Sequence, residues 1–477
     1  MAALLVLAAA TPVRAQQGSP VYVPEKDSLV RQKLEHWQDL KLGLLMHWGT
    51  YSQWGIVESW SLCSEDEPWC RRKTDNYTEY KMSYEALQTT FNPVKFDPER
   101  WAKAAKDAGM KYVVFTTKHH DGFNMFDTKQ SDYRITSPRT PFSSNPHADV
   151  TRAIFDAFRA QGFMTGAYFS KPDWHSPDYW WPNFATPDRN PNYDIKKYPD
   201  RWARFVAFTH AQIDELMSNY GRVDILWLDG GWVRIRSDAE IRDEMNRPDY
   251  KFMHYQSQDI DMARIVAESR AKQPGLIVVD RDVPGPYQDY LTPEARVPEK
   301  ALPYPWEVPM PMANSWSYVP TDTYKTPRVL IDMLADVVSK GGNLLLNIGP
   351  GPDGTWHDAA YDRLAALGAW IKVNGEAIYG TRPIAPYADG KVRLTQGKDG
   401  SVYAIYLADE GETELPRYLM LSKIVPASDA TVTLIGTGRT LSWERSGTGF
   451  VAKVPAGLKA PAAYAWTFKI SRADRRQ

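Results

Sequence analysis

Several short apolar runs end in side chains that can bind or react. LGLLMHWG (42–49) ends in His47 and Trp48, YVVFTTKHH (112–120) in His119 and His120 with Asp121 next, and FMTGAYFS (163–170) in Tyr168 to Ser170. VDILWLDGG (223–231) ends in Asp229, and LIVVDR (276–281) in Asp280 and Arg281. One polar strand end is commonplace, but each member of such a set would need its own partner if buried in a core. A shared mouth lined by His, Asp, Arg, Tyr and Trp accounts for all of them, with acid-base, nucleophilic or ligand-binding chemistry open to it. Two other readings stand beside that one. Asp229, before two glycines, has the type and place of a turn or helix-capping residue. His119 and His120 could ligate a metal, although adjacent strand residues face opposite ways, so both reach one ion only if the strand has ended.

The elements that must position these residues are legible. Each run is continuously apolar, as a strand buried on both faces is, and a further run, NLLLNIG, spans 343–349. Amphipathic segments alternate with the runs from about Lys41 to Gly349, which predicts a parallel sheet with crossover helices. Such a barrel gathers the carboxyl ends of its strands at one mouth. Asp97-Pro98 and Thr326-Pro327 open helices that Gly109 and Gly341 close, and Leu330, Met333, Leu334, Val337 and Val338 mark a core-facing stripe. Another helix spans roughly Ala359 to Val373. After Gly380 the helical pattern gives way to short alternating segments at 401–407, 431–435, 450–454 and 464–470, separated by turn signals such as Asp399-Gly400. That pattern predicts a small antiparallel sandwich.

Bulk properties narrow the class. A chain of 477 residues suits one large domain and a smaller one. Lys+Arg 57 against Asp+Glu 58 gives a formal charge of −1 without a basic block, so nucleic acid is not an expected partner. The start, MAALLVLAAATPVRAQ, reads as a signal peptide over residues 1–15, which predicts export to the periplasm or the exterior. No stretch approaches the about 20 apolar residues of a membrane-spanning helix, so membrane insertion is not expected. Cys63 and Cys70 are close enough in sequence for a local disulfide in an oxidising compartment, and two cysteines make no zinc site. Asn76-Tyr77-Thr78 is formally a glycosylation sequon.

The strings Lys41-Leu42-Gly43 through His47-Trp48-Gly49-Thr50-Tyr51-Ser52, Lys118-His119-His120-Asp121-Gly122-Phe123, Trp227-Leu228-Asp229-Gly230-Gly231 and Gly342 through Asn347-Ile348-Gly349-Pro350 closely resemble the α-L-fucosidases of glycoside hydrolase family 29. The resemblance runs from about Leu40 to the C-terminus. It implies a (β/α)8-like TIM barrel over residues 16–378, a β-sandwich over 379–477, and retaining hydrolysis of terminal α-L-fucosyl groups from oligosaccharides or glycoconjugates. It implies neither cofactor nor metal. Asp229 matches the nucleophile of a covalent fucosyl-enzyme, His47, His119 and His120 match hydroxyl-binding histidines, and Tyr168, Trp227 and Arg281 match further pocket positions. Trp316 falls where an aromatic flanks the sugar. Glu58 and Trp60 resemble a glutamate and tryptophan that are adjacent in the family, whereas here Ser59 separates them.

A retaining enzyme needs a second carboxyl about 5 Å from the first, protonated to release the leaving oxygen and then ionised to activate water. Glu294, in Thr292-Pro293-Glu294, resembles the family's acid/base position and is the expected one, with Glu307 and Glu58 as alternatives. Three rival functions differ in what they need. A related enzyme acting on L-galactosides would share the pocket, since a hydrophobic site rejects an added hydroxyl only modestly. A non-catalytic sugar-binding protein would not need the Asp229 carboxylate, and a metallohydrolase would use His119, His120 and Asp121.

Overall fold

The apolar runs form parallel strands buried along almost their whole length: β1 (Leu42–Met46), β2 (Tyr112–Lys118), β3 (Met164–Ser170), β4 (Ile225–Asp229), β5 (Ile277–Asp280), β6 (Glu307–Pro311) and β7 (Asn343–Ile348). They belong to a computed structural model that describes residues 22–63, 72, 74, 76–182, 184 and 188–474. The expected signal peptide and Cys70, hence the Cys63–Cys70 pairing, lie outside the described residues.

The strand order is β5-β4-β3-β2-β1-β7-β6, every neighbour parallel, so the sheet curls with β5 and β6 as its two edges. An irregular segment at 287–291 stands between those edges. On one side Asp280 N donates to Tyr287 O at 2.8 Å and Asp289 N to Val278 O at 2.9 Å; on the other, Leu291 N donates to Pro305 O at 3.0 Å and Glu307 N to Leu291 O at 2.8 Å. Among the described residues the (β/α)8-like barrel thus has seven regular strands and an irregular eighth stave. The sequence reading missed β6, because Pro309 and Pro311 argue against a strand inside a sheet. Alternate residues of a strand bond to alternate sides. Glu307 N and Pro309 O both face away from β7, toward Leu291 and Ala295, with Ala295 N donating to Pro309 O at 3.1 Å, so the N–H that Pro309 lacks is not one β7 requires.

Nine helices cover the outside among the described residues: α1 (Ser28–Leu40), α2 (Tyr77–Ala86), α3 (Pro98–Asp107), α4 (Val150–Ala160), α5 (Pro199–Asn219), α6 (Asp238–Met245), α7 (Met262–Lys272), α8 (Pro327–Ser339) and α9 (Asp358–Asn374). Their ends follow local chemistry. Asp97 accepts from Arg100 N at 2.9 Å and Thr326 from Val329 N at 3.3 Å, satisfying N–H groups that have no partner within the helix. In α8, Leu330, Leu334, Val337 and Val338 are buried, each contributing about 1.5–3 kcal/mol, while Met333 is half-buried at the stripe's edge.

After α9 the chain becomes antiparallel: β8 (Arg382–Asp389), β9 (Val392–Gln396), β10 (Val402–Leu407), β11 (Tyr418–Leu421), β12 (Val432–Leu434), β13 (Arg439–Leu441), β14 (Trp443–Ser446), β15 (Gly449–Lys453) and β16 (Ala465–Ile470). They form sheets ordered β13-β12-β16-β10-β9-β8 and β11-β15-β14, which close over Leu394, Leu419, Leu421, Phe450 and Phe468. This domain docks on the last barrel helices, where Trp370 Nε1 donates to Ala465 O at 2.9 Å and Arg393 Nε to Asp336 at 2.7 Å.

Candidate active site

The carboxyl ends of the strands and the loops that follow them line one cavity. His47 follows β1, His119 and His120 follow β2, Tyr168 lies near the end of β3, Trp227 and Asp229 lie on β4, and Arg281 follows β5. Glu58 and Trp60 come from the loop after β1, Glu294 from the loop between β5 and β6, and Trp316 from the loop after β6. β2 ends at Lys118, so the two following histidines are no longer bound to alternate, and their rings sit 4.2 Å apart on the same cavity. His119 stacks on Tyr168 at 5.8 Å and 9°, and His47 packs edge-on against both.

Asp229 is the most heavily bonded carboxylate of the cavity. It accepts from Arg281 Nη1 at 3.0 Å, from Tyr168 Oη at 2.6 Å and from Gly230 N at 2.8 Å, with His120 Nε2 at 3.8 Å. Burial works to raise its carboxyl, but the Arg281 charge and these hydrogen bonds overcome that and hold it well below the usual carboxylate range. Its Gly230 bond is the local cap that its position suggests, made in addition to facing the cavity. Glu58 is the opposite case. Burial, reinforced by the Asp229 charge, pushes it up to about 8 against the hydrogen bond it accepts from Ser317 N at 2.9 Å. Burial also pushes His47 down to about 4 and His120 to about 3, so these rings are neutral near pH 7. Arg281 holds a second carboxylate as well, pairing through Nη2 with Glu294 at the rim.

A family model described as Alpha-L-fucosidase matches residues 8–376. The chain belongs to the α-L-fucosidase family. A second model, for the Alpha-L-fucosidase C-terminal domain, matches residues 387–471. Tissue alpha-L-fucosidase of Homo sapiens is 29% identical over 488 residues, spanning 98% of this chain and 96% of that protein. Alpha-L-fucosidase isoenzyme 1 from Paenibacillus thiaminolyticus matches with a TM-score of 0.73 at 28% identity, covering 94% of this chain and 100% of that one. Thermotoga maritima alpha-fucosidase in complex with a mechanism based inhibitor matches with a TM-score of 0.71 at 27% identity, over 94% and 100% of the two chains. The chain is therefore a glycoside hydrolase, an α-L-fucosidase on this barrel.

Within this α-L-fucosidase cavity the structure assembles every expected site residue except Glu307. Glu307 opens β6 at its amino end, is fully buried, and accepts from Tyr112 Oη at 2.6 Å and Trp227 Nε1 at 3.3 Å. It supports the floor of the cavity from beneath Trp227, which corrects its place among the candidate acids. Asp121 likewise turns away: it accepts from Tyr84 Oη at 2.8 Å and Phe123 N at 3.1 Å. The set of His, Cys, Asp and Glu close enough to share an ion among the described residues is His119, His120 and Asp229 rather than the expected trio with Asp121. Leu45 and Pro309 were not foreseen as lining residues. Leu45 carries a usable signal, two residues before His47 in the same apolar run and one residue before the end of β1. Ser59, Asn347 and Ser317, which bond the lining side chains from behind, carry none.

Proposed function

We propose that this chain is a retaining exo-α-L-fucosidase in which Asp229 is the nucleophile and Glu294 the acid/base. In the first step an Asp229 oxygen bonds to the anomeric carbon as the glycosidic C–O bond breaks, and Glu294 gives its proton to the departing oxygen. In the second, the Glu294 carboxylate takes a proton from water while the water oxygen attacks the same carbon, releasing fucose and Asp229. The observation that carries this reading is the Arg281 guanidinium holding both carboxylates at once, since groups that share one guanidinium stand near the about 5 Å spacing of a retaining pair. The ionised state of Asp229 supports its role as attacker. The Thermotoga maritima relative, which binds a mechanism based inhibitor, supports a common chemistry. Neutral histidines for hydroxyls, and Leu45, Pro309 and Trp316 as apolar walls, suit a 6-deoxy sugar.

Glu58 offers a second assignment of the acid, favoured by one observation: it lines the same cavity and holds its proton up to about 8, while Glu294 is ion-paired and exposed at the rim. Turnover of aryl α-L-fucosides with good and poor leaving groups separates the two. Glu294→Ala is expected to spare the good leaving group far more than the poor one and to yield fucosyl azide with added azide. The same pattern in Glu58→Ala, with Glu294→Ala unaffected, transfers the role to Glu58.

A further inference from the structure

Two cavity histidines are each held from behind by a side chain that dictates which ring nitrogen carries the proton. Asn347 is oriented by two contacts. Its Nδ2 donates to Trp316 O at 2.6 Å, and its Oδ1 accepts from His47 N at 3.2 Å. Rotating the amide by half a turn would set Nδ2 against the His47 N–H and Oδ1 against the Trp316 carbonyl, so the orientation is fixed. The same Oδ1 lies 2.9 Å from His47 Nδ1. An amide oxygen cannot donate, so Nδ1 bears the proton and Nε2 is left as an acceptor.

His119 is held the other way. Ser59 Oγ accepts from Asp121 N at 3.0 Å and lies 2.5 Å from His119 Nδ1. Ser59 is fully buried. Were Nδ1 protonated, the hydroxyl would receive two donors and its own hydrogen would be left without an acceptor among the described residues. The hydroxyl therefore donates to Nδ1, and the proton of the ring is on Nε2. Burial keeps both rings neutral, with His47 pushed down to about 4 and His119 well below its ordinary value, so one proton per ring is the relevant state.

We propose that Asn347 and Ser59 are positioning residues that set His47 and His119 in opposite tautomers, giving the sugar pocket one imidazole acceptor and one imidazole donor. The functional consequence rests on reading this cavity as the fucose site. The two rings are 5.6 Å apart, edge to face. A sugar that engages both can donate a hydroxyl hydrogen to His47 and accept a hydrogen from His119, so the pair reads the polarity of the hydroxyls as well as their presence. Ser59, the residue that separates Glu58 from Trp60, thereby acquires a specific task.

The test is a long-range 1H–15N correlation spectrum of 15N-histidine-labelled protein near pH 7, with His47→Gln and His119→Gln used to assign the two rings. The expected pattern is Nδ1–H for His47 and Nε2–H for His119. Ser59→Ala should move His119 toward the Nδ1–H form and raise KM for an aryl α-L-fucoside about tenfold with a smaller change in kcat, whereas Ser59→Thr, which keeps the hydroxyl, should restore both. Protonated Nδ1 on His119, or the same tautomer on both rings, would overturn the proposal. Titration with L-fucose is read separately: opposite tautomers that do not respond to the sugar would uphold the assignment and remove the reading of the cavity.

Discussion

Arg281 and Asp229 form an ion pair of 3.0 Å at the ends of neighbouring strands, and the register of the sheet places them there. Leu228 of β4 pairs with Asp280 of β5, so Asp229, the last residue of β4, and Arg281, the first residue after β5, stand at the same level. Asp229 is held ionised against its own burial mainly by that cation. Its depressed carboxyl makes the active form of the nucleophile persist to low pH. Arg281→Met removes the cation, so the carboxyl must rise and the acid limb of the kcat/KM profile must move to higher pH. A shift of at least about one unit is expected, equivalent to about 1.4 kcal/mol of lost charge stabilisation. An acid limb that stays in place would show that Arg281 does not set the state of Asp229.

Glu58 gives a second pH signature, this one in stability. Its folded carboxyl is raised to about 8 from an ordinary value of 4.5, so the folded protein binds the proton more tightly than the unfolded chain. That contribution is complete below about pH 4.5 and is lost as pH rises toward 8. Glu58→Gln is neutral throughout. Thermal unfolding should show the Tm of the variant gaining on that of the unsubstituted protein between pH 5 and pH 8. Tm curves that run parallel over this interval would contradict the raised value.

Glu307 should behave as a structural carboxyl. Glu307→Ala leaves the buried Tyr112 hydroxyl and Trp227 N–H without their acceptor, at a cost of about 2–4 kcal/mol. Glu307→Gln, which keeps an acceptor oxygen, should cost less. Urea unfolding measures both. Neither variant should form fucosyl azide when azide is added, because the residue does not line the cavity.

What could be read in advance follows physical lines. Six of the parallel strands were legible because burial on both faces makes a strand continuously apolar, as in the run from Tyr112 to Thr117. β6 was not, since Pro309 and Pro311 hide a strand that bonds through its other positions, and the stave at 287–291 has no repeating pattern. Most cavity residues were legible because parallel topology gathers strand ends whatever the loops do. Glu307 misled because its place at the start of a strand depends on recognising β6. The roles of Ser59 and Asn347 could not be read because these residues act on rings 60 and 300 residues away through contacts that only the folded chain creates. In the second domain the edge strands β13 and β14 are short and largely exposed, so they lack the apolar residues that revealed β10 and β16.

The measurement that bears most directly on the central claim is covalent trapping. Incubation with a 2-fluoro-α-L-fucosyl fluoride, followed by proteolysis and mass spectrometry, should place a single 2-fluorofucosyl group on the peptide containing Asp229 and specifically on that carboxylate. A label on Glu58 or Glu294, or turnover that inverts the anomeric centre with no adduct, would contradict the assignment of Asp229 as the nucleophile.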